Sequence, residues 1–222
     1  MILKMMEVGP IAVNCYIVAD EETKEAAVFD PGGHVPRILE ILAEDDLKTR
    51  YIINTHAHFD HVGGNQELRD KTGAPILIHR DEGPGLLAAG ERAALYGLTG
   101  MPSKADRFIK EGDTLEIGSI HFEIMELRGH SHTGLGYLFE GEIELDGVRE
   151  KRQVLISGDI LFAGSIGRTD FPGGNLEVIL ENIRTKIFTL PDDTLVLSGH
   201  GPVTTVGQEK RYNPFLRDPN WT

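Results

Sequence analysis

The stretch Thr55-His56-Ala57-His58-Phe59-Asp60-His61 constrains this chain more than any other. It places three imidazoles and a carboxylate directly after the apolar run Tyr51-Ile52-Ile53-Asn54. A short apolar run bounded by polar residues reads as a buried strand. If the extended geometry carries on past it, His56, His58 and Asp60 project to one side with period two, and His61 opens the next turn and helix. Ligand-grade groups then converge at one strand end. Imidazole nitrogen and carboxylate oxygen are donors that first-row divalent metals accept. The alternative is a His-rich polar loop with no ligand. A lone His-x-His would favour that alternative, but the complete His-x-His-x-Asp-His pattern in this context favours metal.

Composition narrows the setting. A length of 222 residues suits one large domain or two small ones and is enough to bury a core without staples. Cys15 is the single cysteine, so no internal disulfide forms, and its place in Asn14-Cys15-Tyr16-Ile17-Val18 marks a buried, inert thiol. No stretch approaches the ~20 apolar residues that cross a bilayer. The opening Met1-Ile2-Leu3-Lys4-Met5-Met6-Glu7 lacks a signal-peptide layout. Together these features favour a reducing cytoplasm and no membrane partner. Acids outnumber bases 35 to 22, for a formal charge of -13. Such a field repels phosphate backbones, so nucleic acid is a poor partner. The densest basic cluster, Arg149-Glu150-Lys151-Arg152, reads as a solvated hairpin face.

Hydrophobic periodicity gives three strands at residues 2–7, 12–19 and 26–30, then Asp30-Pro31-Gly32-Gly33 as punctuation. A helix over 35–47 precedes the histidine-bearing strand, with Val35, Ile38, Leu39, Ile41 and Leu42 at helical spacing. Further helices are expected at 64–71, 86–95 and 176–187. Further strands are expected at 76–79, 115–117, 120–127, 136–139, 154–157 and 194–197, with a hairpin turn at Asp146-Gly147. Clustered strands with helices between them predict two sheets packed face to face with helices outside.

Three of these strands run into a small residue and then a metal-capable side chain. They lead to Arg128-Gly129-His130-Ser131-His132, Ser157-Gly158-Asp159 and Ser198-Gly199-His200-Gly201. Strand ends are where open α/β sheets present their sites. Each alone reads as a loop residue or cap, and they gain weight only beside the first motif. His34 and His121 read as surface or turn residues. His79, at a strand end, reads as structural, with support of a ligand as the alternative.

The order His56-x-His58-x-Asp60-His61, then His130, Asp159 and His200, resembles the metallo-β-lactamase superfamily of hydrolases. The resemblance runs from Asp30-Pro31-Gly32-Gly33 to Asn213-Pro214-Phe215, so residues 1–222 read as a single domain of that kind. It implies the α/β four-layer αββα sandwich, two mixed sheets with helices on the outer faces. In detail the chain is most similar to the short glyoxalase II-like branch, through Ser157-Gly158-Asp159, Gly167-Arg168-Thr169-Asp170-Phe171 and Gly199-His200-Gly201-Pro202. Carried over, the family implies His56, His58 and His130 on one metal, Asp60, His61 and His200 on the second, and Asp159 bridging. His130 matches the family's Gly before and Ser after, whereas His132 has Thr133-Gly134 on its C-terminal side and remains the alternative.

Two divalent ions, zinc in the first instance and iron or manganese otherwise, would share a water and lower its pKa toward ~7. The hydroxide would attack a carbonyl with Asp60 orienting it, and hydrolysis is the natural reaction class. A thioester is an easier target than an amide, because thiolate leaves with little protonation. The branch implies an S-acylated glutathione such as S-lactoylglutathione as the small-molecule substrate. Full-length members carry a further helical domain for much of the glutathione contact, while this sequence stops at Thr222. Arg168 and Asp170 are the candidates for the mouth of the site. Arg168 either pairs with a substrate carboxylate or closes on Asp170.

The rival is an oxidoreductase. Gly167–Phe171 and Lys186-Ile187-Phe188-Thr189-Leu190-Pro191 also resemble glutathione persulfide dioxygenases of the same superfamily, which bind one iron. Their equivalents here would be His56, His130 and Asp159. A metal-stabilised interaction module is the third reading, weakened because structural zinc closes with four ligands. The sequence leaves the oligomeric state open.

Overall fold

The computed structural model describes residues 1–145 and 148–217. The hairpin turn expected at Asp146-Gly147 lies outside the described residues. The first sheet is built in chain order from β1 (Ile2–Val8), β2 (Val13–Ala19), β3 (Glu25–Phe29), β4 (Lys48–Ile53), β5 (Ile76–Ile78) and β6 (Arg107–Phe108). β1, β2 and β3 pair antiparallel, then β3 to β6 run parallel. The helices α1 (Val35–Glu44), α2 (Phe59–Val62), α3 (Asn65–Thr72) and α4 (Gly83–Ala94) fill its connections. The second sheet takes β7 (Thr114–Ile117), β8 (Ile120–Leu127), β9 (Gly134–Leu145) and β10 (Val148–Gly158). A small hairpin of β11 (Leu161–Phe162) and β12 (Ser165–Ile166) precedes α5 (Leu176–Asn182), which runs on through a π turn to Ile187. Then β13 (Leu195–Ser198), parallel to β10, and β14 (Thr204–Thr205) complete that sheet, and α6 (Val206–Tyr212) follows.

Side-chain alternation explains the layers. All seven residues of β2 are buried, because both faces of the first sheet are covered. Val13, Cys15 and Ile17 point to the layer shared with Val35, Ile38 and Leu42 of α1 and Leu68 of α3. Tyr16 and Val18 point the other way, into the layer between the sheets with Phe29, Phe122, Tyr137 and Ile156. The Phe29 and Tyr137 rings meet edge-on at 5.1 Å there. A third apolar layer joins Leu127, Leu155 and Val196 to Ile179, Ile183 and Val206. Three apolar layers between four structural ones make the fold the expected αββα sandwich. At ~25 cal/mol per Å² of apolar surface removed from water, these layers are the main stabilising term.

Several expected boundaries move. α1 ends at Glu44 rather than residue 47: Asp46 takes a left-handed φ of 55°, and Leu47 folds back so that its N–H donates to Leu42 O at 2.8 Å. α4 starts at Gly83 instead of Leu86 because Pro84, lacking an N–H, fits a first turn. β9 and β10 are much longer than expected, since they form one extended antiparallel ribbon. The strands β6, β11, β12 and β14, two residues each, had no periodicity to be read from.

Candidate metal centre

Four of the candidate donors sit where a strand has just ended. His56 follows β4, His130 follows β8, Asp159 follows β10 and His200 follows β13. β3 and β4 run parallel in one sheet, and β10 and β13 run parallel in the other, so their carboxyl ends share one edge of the sandwich. The first motif differs from the period-two expectation. His58 is the extended N-cap of α2, and both Asp60 and His61 lie within that helical turn. The helix, not an extended strand, brings Asp60 and His61 into the centre.

The donors form three overlapping groups: His56, His58 and His130; His56, His61 and Asp159; and Asp60, His61 and His200. Within each group the nearest ligand atoms lie within 4.8 Å of one another. Asp159 faces both sides, with Oδ1 3.4 Å from His61 Nε2 and Oδ2 3.5 Å from His130 Nε2. Asp60 Oδ2 lies 3.1 Å from His200 Nε2 and 3.5 Å from His61 Nε2. His132 is exposed and belongs to none of the groups, so His130 is the imidazole that the fold brings in. His34 accepts from Gly9 N, His121 pairs with Glu116 on the surface, and His79 accepts from Asp81 N. None of these three belongs to the donor groups among the described residues.

This donor chemistry fits bound cations. His58 Nδ1 lies 2.9 Å from both His56 Nε2 and His130 Nε2, and one nitrogen cannot donate to two others. His61 Nε2 and Asp159 Oδ1 are buried without a hydrogen-bond partner among the described residues. Unpaired buried donors and acceptors are costly and call for a ligand. Burial, then the neighbouring His61, His58 and His130, holds the His56 imidazole well below its ordinary value. Burial and His130 push His58 down to about 3, which leaves its lone pair free. Burial pulls His61 the other way from its carboxylates, and Asp159, Asp60 and Asp30 outweigh it, raising His61.

Residues behind the donors fix their orientation. Thr55 Oγ1 donates to Asp30 Oδ2 at 2.7 Å, so His56 Nδ1, 3.0 Å from Thr55 Oγ1, donates to that hydroxyl, leaving Nε2 for the centre. His61 Nδ1 donates to Asp30 Oδ2 at 3.0 Å, and His130 Nδ1 donates to the Arg168 carbonyl at 2.9 Å. Such partners set the tautomer and hold the ring. Close packing is equally specific: a Cβ on Gly199 would lie 2.0 Å from Asp159 Oδ1, and one on Gly32 would lie 1.5 Å from Asp60 O. Neither position tolerates a side chain. Sequence reasoning missed Asp30 and Glu82. Asp30 carried the same signal as Asp159, an acid ending a strand, but the following Pro-Gly-Gly made it look like punctuation. Glu82 offers no local signal, since its carboxylate accepts from Ala57 N at 3.0 Å and Thr133 N at 2.9 Å across the fold.

A cleft of about 840 Å³ opens over the centre, lined by His58, Asp60, His130, Asp159 and His200 at its floor. Its walls include Phe59, Tyr96, Phe162, Ile166 and Phe171. The Arg168 guanidinium closes on Asp170 through bonds of 2.8 and 2.7 Å and lies 3.7 Å over the Phe171 ring. Of the two readings of Arg168, the internal pair is the one that forms. Asp170 is held at about 2 by the Arg168 hydrogen bonds.

An αββα sandwich whose strand ends assemble two such donor sets defines a class of binuclear metal-dependent hydrolases. The family description "Metallo-beta-lactamase superfamily" matches residues 8–145 and 147–200, and the chain belongs to that superfamily. It is 37% identical to the hydroxyacylglutathione hydrolase GloC of Haemophilus influenzae, over 96% of this chain and 97% of that one. It is 39% identical to the probable metallo-hydrolase YqgX of Bacillus subtilis, over 96% of each. Among solved structures it resembles the BLEG-1 B3 metallo-β-lactamase (TM-score 0.85, 37% identity, 98% of this chain and all of that one). It also resembles TTHA1623 in a di-iron-bound form (TM-score 0.81, 32% identity, 96% of this chain and all of that one). A third likeness is to ETHE1 from Myxococcus xanthus (TM-score 0.77, 29% identity, 96% of this chain and 84% of that one). The chain is a metal-dependent hydrolase with binuclear metal-binding motifs. No helix among the described residues is long and apolar enough to cross a membrane.

Proposed function

We propose that this enzyme is a thioester hydrolase of the hydroxyacylglutathione hydrolase type, acting on a small S-acylated thiol such as S-lactoylglutathione. His56, His58 and His130 would hold one ion, Asp60, His61 and His200 the other, and Asp159 would reach both, with zinc the first candidate metal. The observation that carries this reading is the completeness of the Asp60–His61–His200 set beside the first, with one Asp159 oxygen turned to each. A single-ion dioxygenase would draw on residues of the same set, so the choice between the two readings rests on Gly199-His200-Gly201-Pro202, which is more like the hydrolase branch, and on the hydrolase relative. The 37% identity to a hydroxyacylglutathione hydrolase over nearly the whole chain supports the substrate class.

When bound, a pair of divalent cations supplies a hydroxide at neutral pH and a Lewis acid for the carbonyl oxygen. Asp60 is buried yet held ionised, because His61 and His200 outweigh the burial that would raise it. An ionised, oriented carboxylate accepts the proton of an attacking water and aims its lone pair. Phe59, Phe162 and Phe171 wall the floor against bulk water, which strengthens every charge interaction inside. Thiolate leaves without an acid. Arg168, stacked on Phe171 and tied to Asp170, shapes the rim of the cleft.

The test is thiol release from S-lactoylglutathione by the metal-loaded protein, run beside oxygen uptake with glutathione persulfide and hydrolysis of a β-lactam. Thiol release without oxygen uptake is expected. Oxygen uptake by protein carrying one iron, without thiol release, would overturn the reading in favour of a dioxygenase using His56, His130 and Asp159. The di-iron-bound likeness makes iron the second metal to load.

A further inference from the structure

Helix α4 joins the metal loop to the cleft's outer wall. A Cβ on Gly85 would lie 2.6 Å from the Ala57 Cβ, so that turn presses on the loop between His56 and His58. Arg92 follows seven residues later, two helical turns on, which places it on the same face and about 10 Å further along the axis. It lines the cleft that has His58, Asp60 and His130 at its floor.

The Arg92 guanidinium has no ion pair, hydrogen bond or ring contact among the described residues. Arg69, Lys151, Lys186, Lys210 and Arg211 each lie against a carboxylate, whereas Arg92, like Lys71 and Arg107, has none among the described residues, and its place in the cleft is what sets it apart. The other cationic residue of the cleft, Arg168, already has its charge met by Asp170. Arg92 is therefore the one guanidinium lining this cleft whose charge is unmet among the described residues. The wall beside it is apolar: the Tyr96 ring stacks on Phe59 at 5.3 Å, and Leu95 and Tyr96 stand 83% and 58% exposed. Uncovered apolar surface on a cleft rim is what a bound chain would cover.

We propose that Arg92 determines specificity: it pairs with a carboxylate that the substrate carries away from its reacting carbonyl, toward the outer wall of the cleft. The apolar part of the bound substrate lies along Phe59 and Tyr96. The planar guanidinium fork matches a carboxylate, and the chain's formal charge of -13 repels an anionic substrate unless a local cation receives it. This inference names the substrate class within the thioester hydrolase reading and rests on it.

Binding of a non-hydrolysable probe tests it. S-hexylglutathione carries an apolar chain and free carboxylates, and its diethyl ester masks them. On metal-loaded wild-type protein, calorimetry is expected to show the diacid binding about tenfold more tightly than the diester. Arg92→Ala removes that preference and leaves diester affinity unchanged, Arg92→Lys keeps part of it, and Arg168→Ala keeps it. Equal binding of the two probes by wild type, no binding of either, a preference that survives Arg92→Ala, or its loss in Arg168→Ala would each overturn the proposal. Failure of the hydrolase reading shows separately, as wild-type protein that releases no thiol from S-lactoylglutathione.

Discussion

Asp30 touches neither the cleft nor a candidate cation, yet the centre's orientation converges on it. Its carboxylate accepts from Thr55 N at 2.8 Å, Thr55 Oγ1 and His61 Nδ1, and its backbone sits in the left-handed region at φ 50°. An L-residue held there costs energy unless local hydrogen bonds repay it, and Asp bears that conformation better than most. Asp30→Asn must turn an N–H₂ toward a hydrogen that the carboxylate accepts. We expect metal affinity to fall about 10- to 100-fold, read by competition with a chromophoric chelator. Affinity equal to wild type would show that the donors hold their own orientation. At this scale the sequence spoke clearly where donors crowd together, as from His56 to His61. It was silent where the partner is remote, as for Asp30 with His61.

The elements show the same division. Period 3.6 in α1 correctly buried Val35, Ile38 and Leu42, and the run Asn14–Val18 correctly read as a strand with Cys15 buried, although its cover on both faces was not foreseen. What could not be read was which strand ends meet, because that depends on parallel pairing of β3 with β4 and β10 with β13 across long separations. Nor could the two-residue strands be read, since they exist only through their neighbours' backbone groups. Glu82 marks how the two donor-bearing loops are locked together. Its buried carboxylate ties Ala57, between His56 and His58, to Thr133, beyond His130. Glu82→Gln keeps the shape but sets an amide donor against one of those N–H groups. A loss of about 1–3 kcal/mol is expected on urea unfolding, together with weaker metal binding. A variant with unchanged affinity and stability would show that Glu82 does not lock the two loops.

The whole molecule depends on the two sheets keeping their relative placement, since donors from both must meet. Asp20, at the end of β2, clamps them away from the centre. It accepts from Ser119 N at 3.0 Å and Ser119 Oγ at 2.6 Å, in the turn between β7 and β8, as well as from Thr23 N at 2.8 Å. The Ser119 hydroxyl, the Thr23 and Ser119 amides and the Thr23 hydroxyl hold its carboxyl well below its ordinary value, against a burial that raises it. A carboxyl depressed on folding adds stability above its unfolded value, and that stability is lost as pH falls. Asp20→Asn should cost about 1–2 kcal/mol at pH 7, and the gap to wild type should narrow as pH drops below about 4. A gap constant with pH would contradict the ionised clamp. The centre itself is tested most directly by counting metal per chain after saturation and gel filtration. Wild-type protein should retain two divalent ions and Asp60→Ala one. Wild-type protein that saturates at a single ion, with Asp60→Ala unchanged from it, would contradict the paired centre.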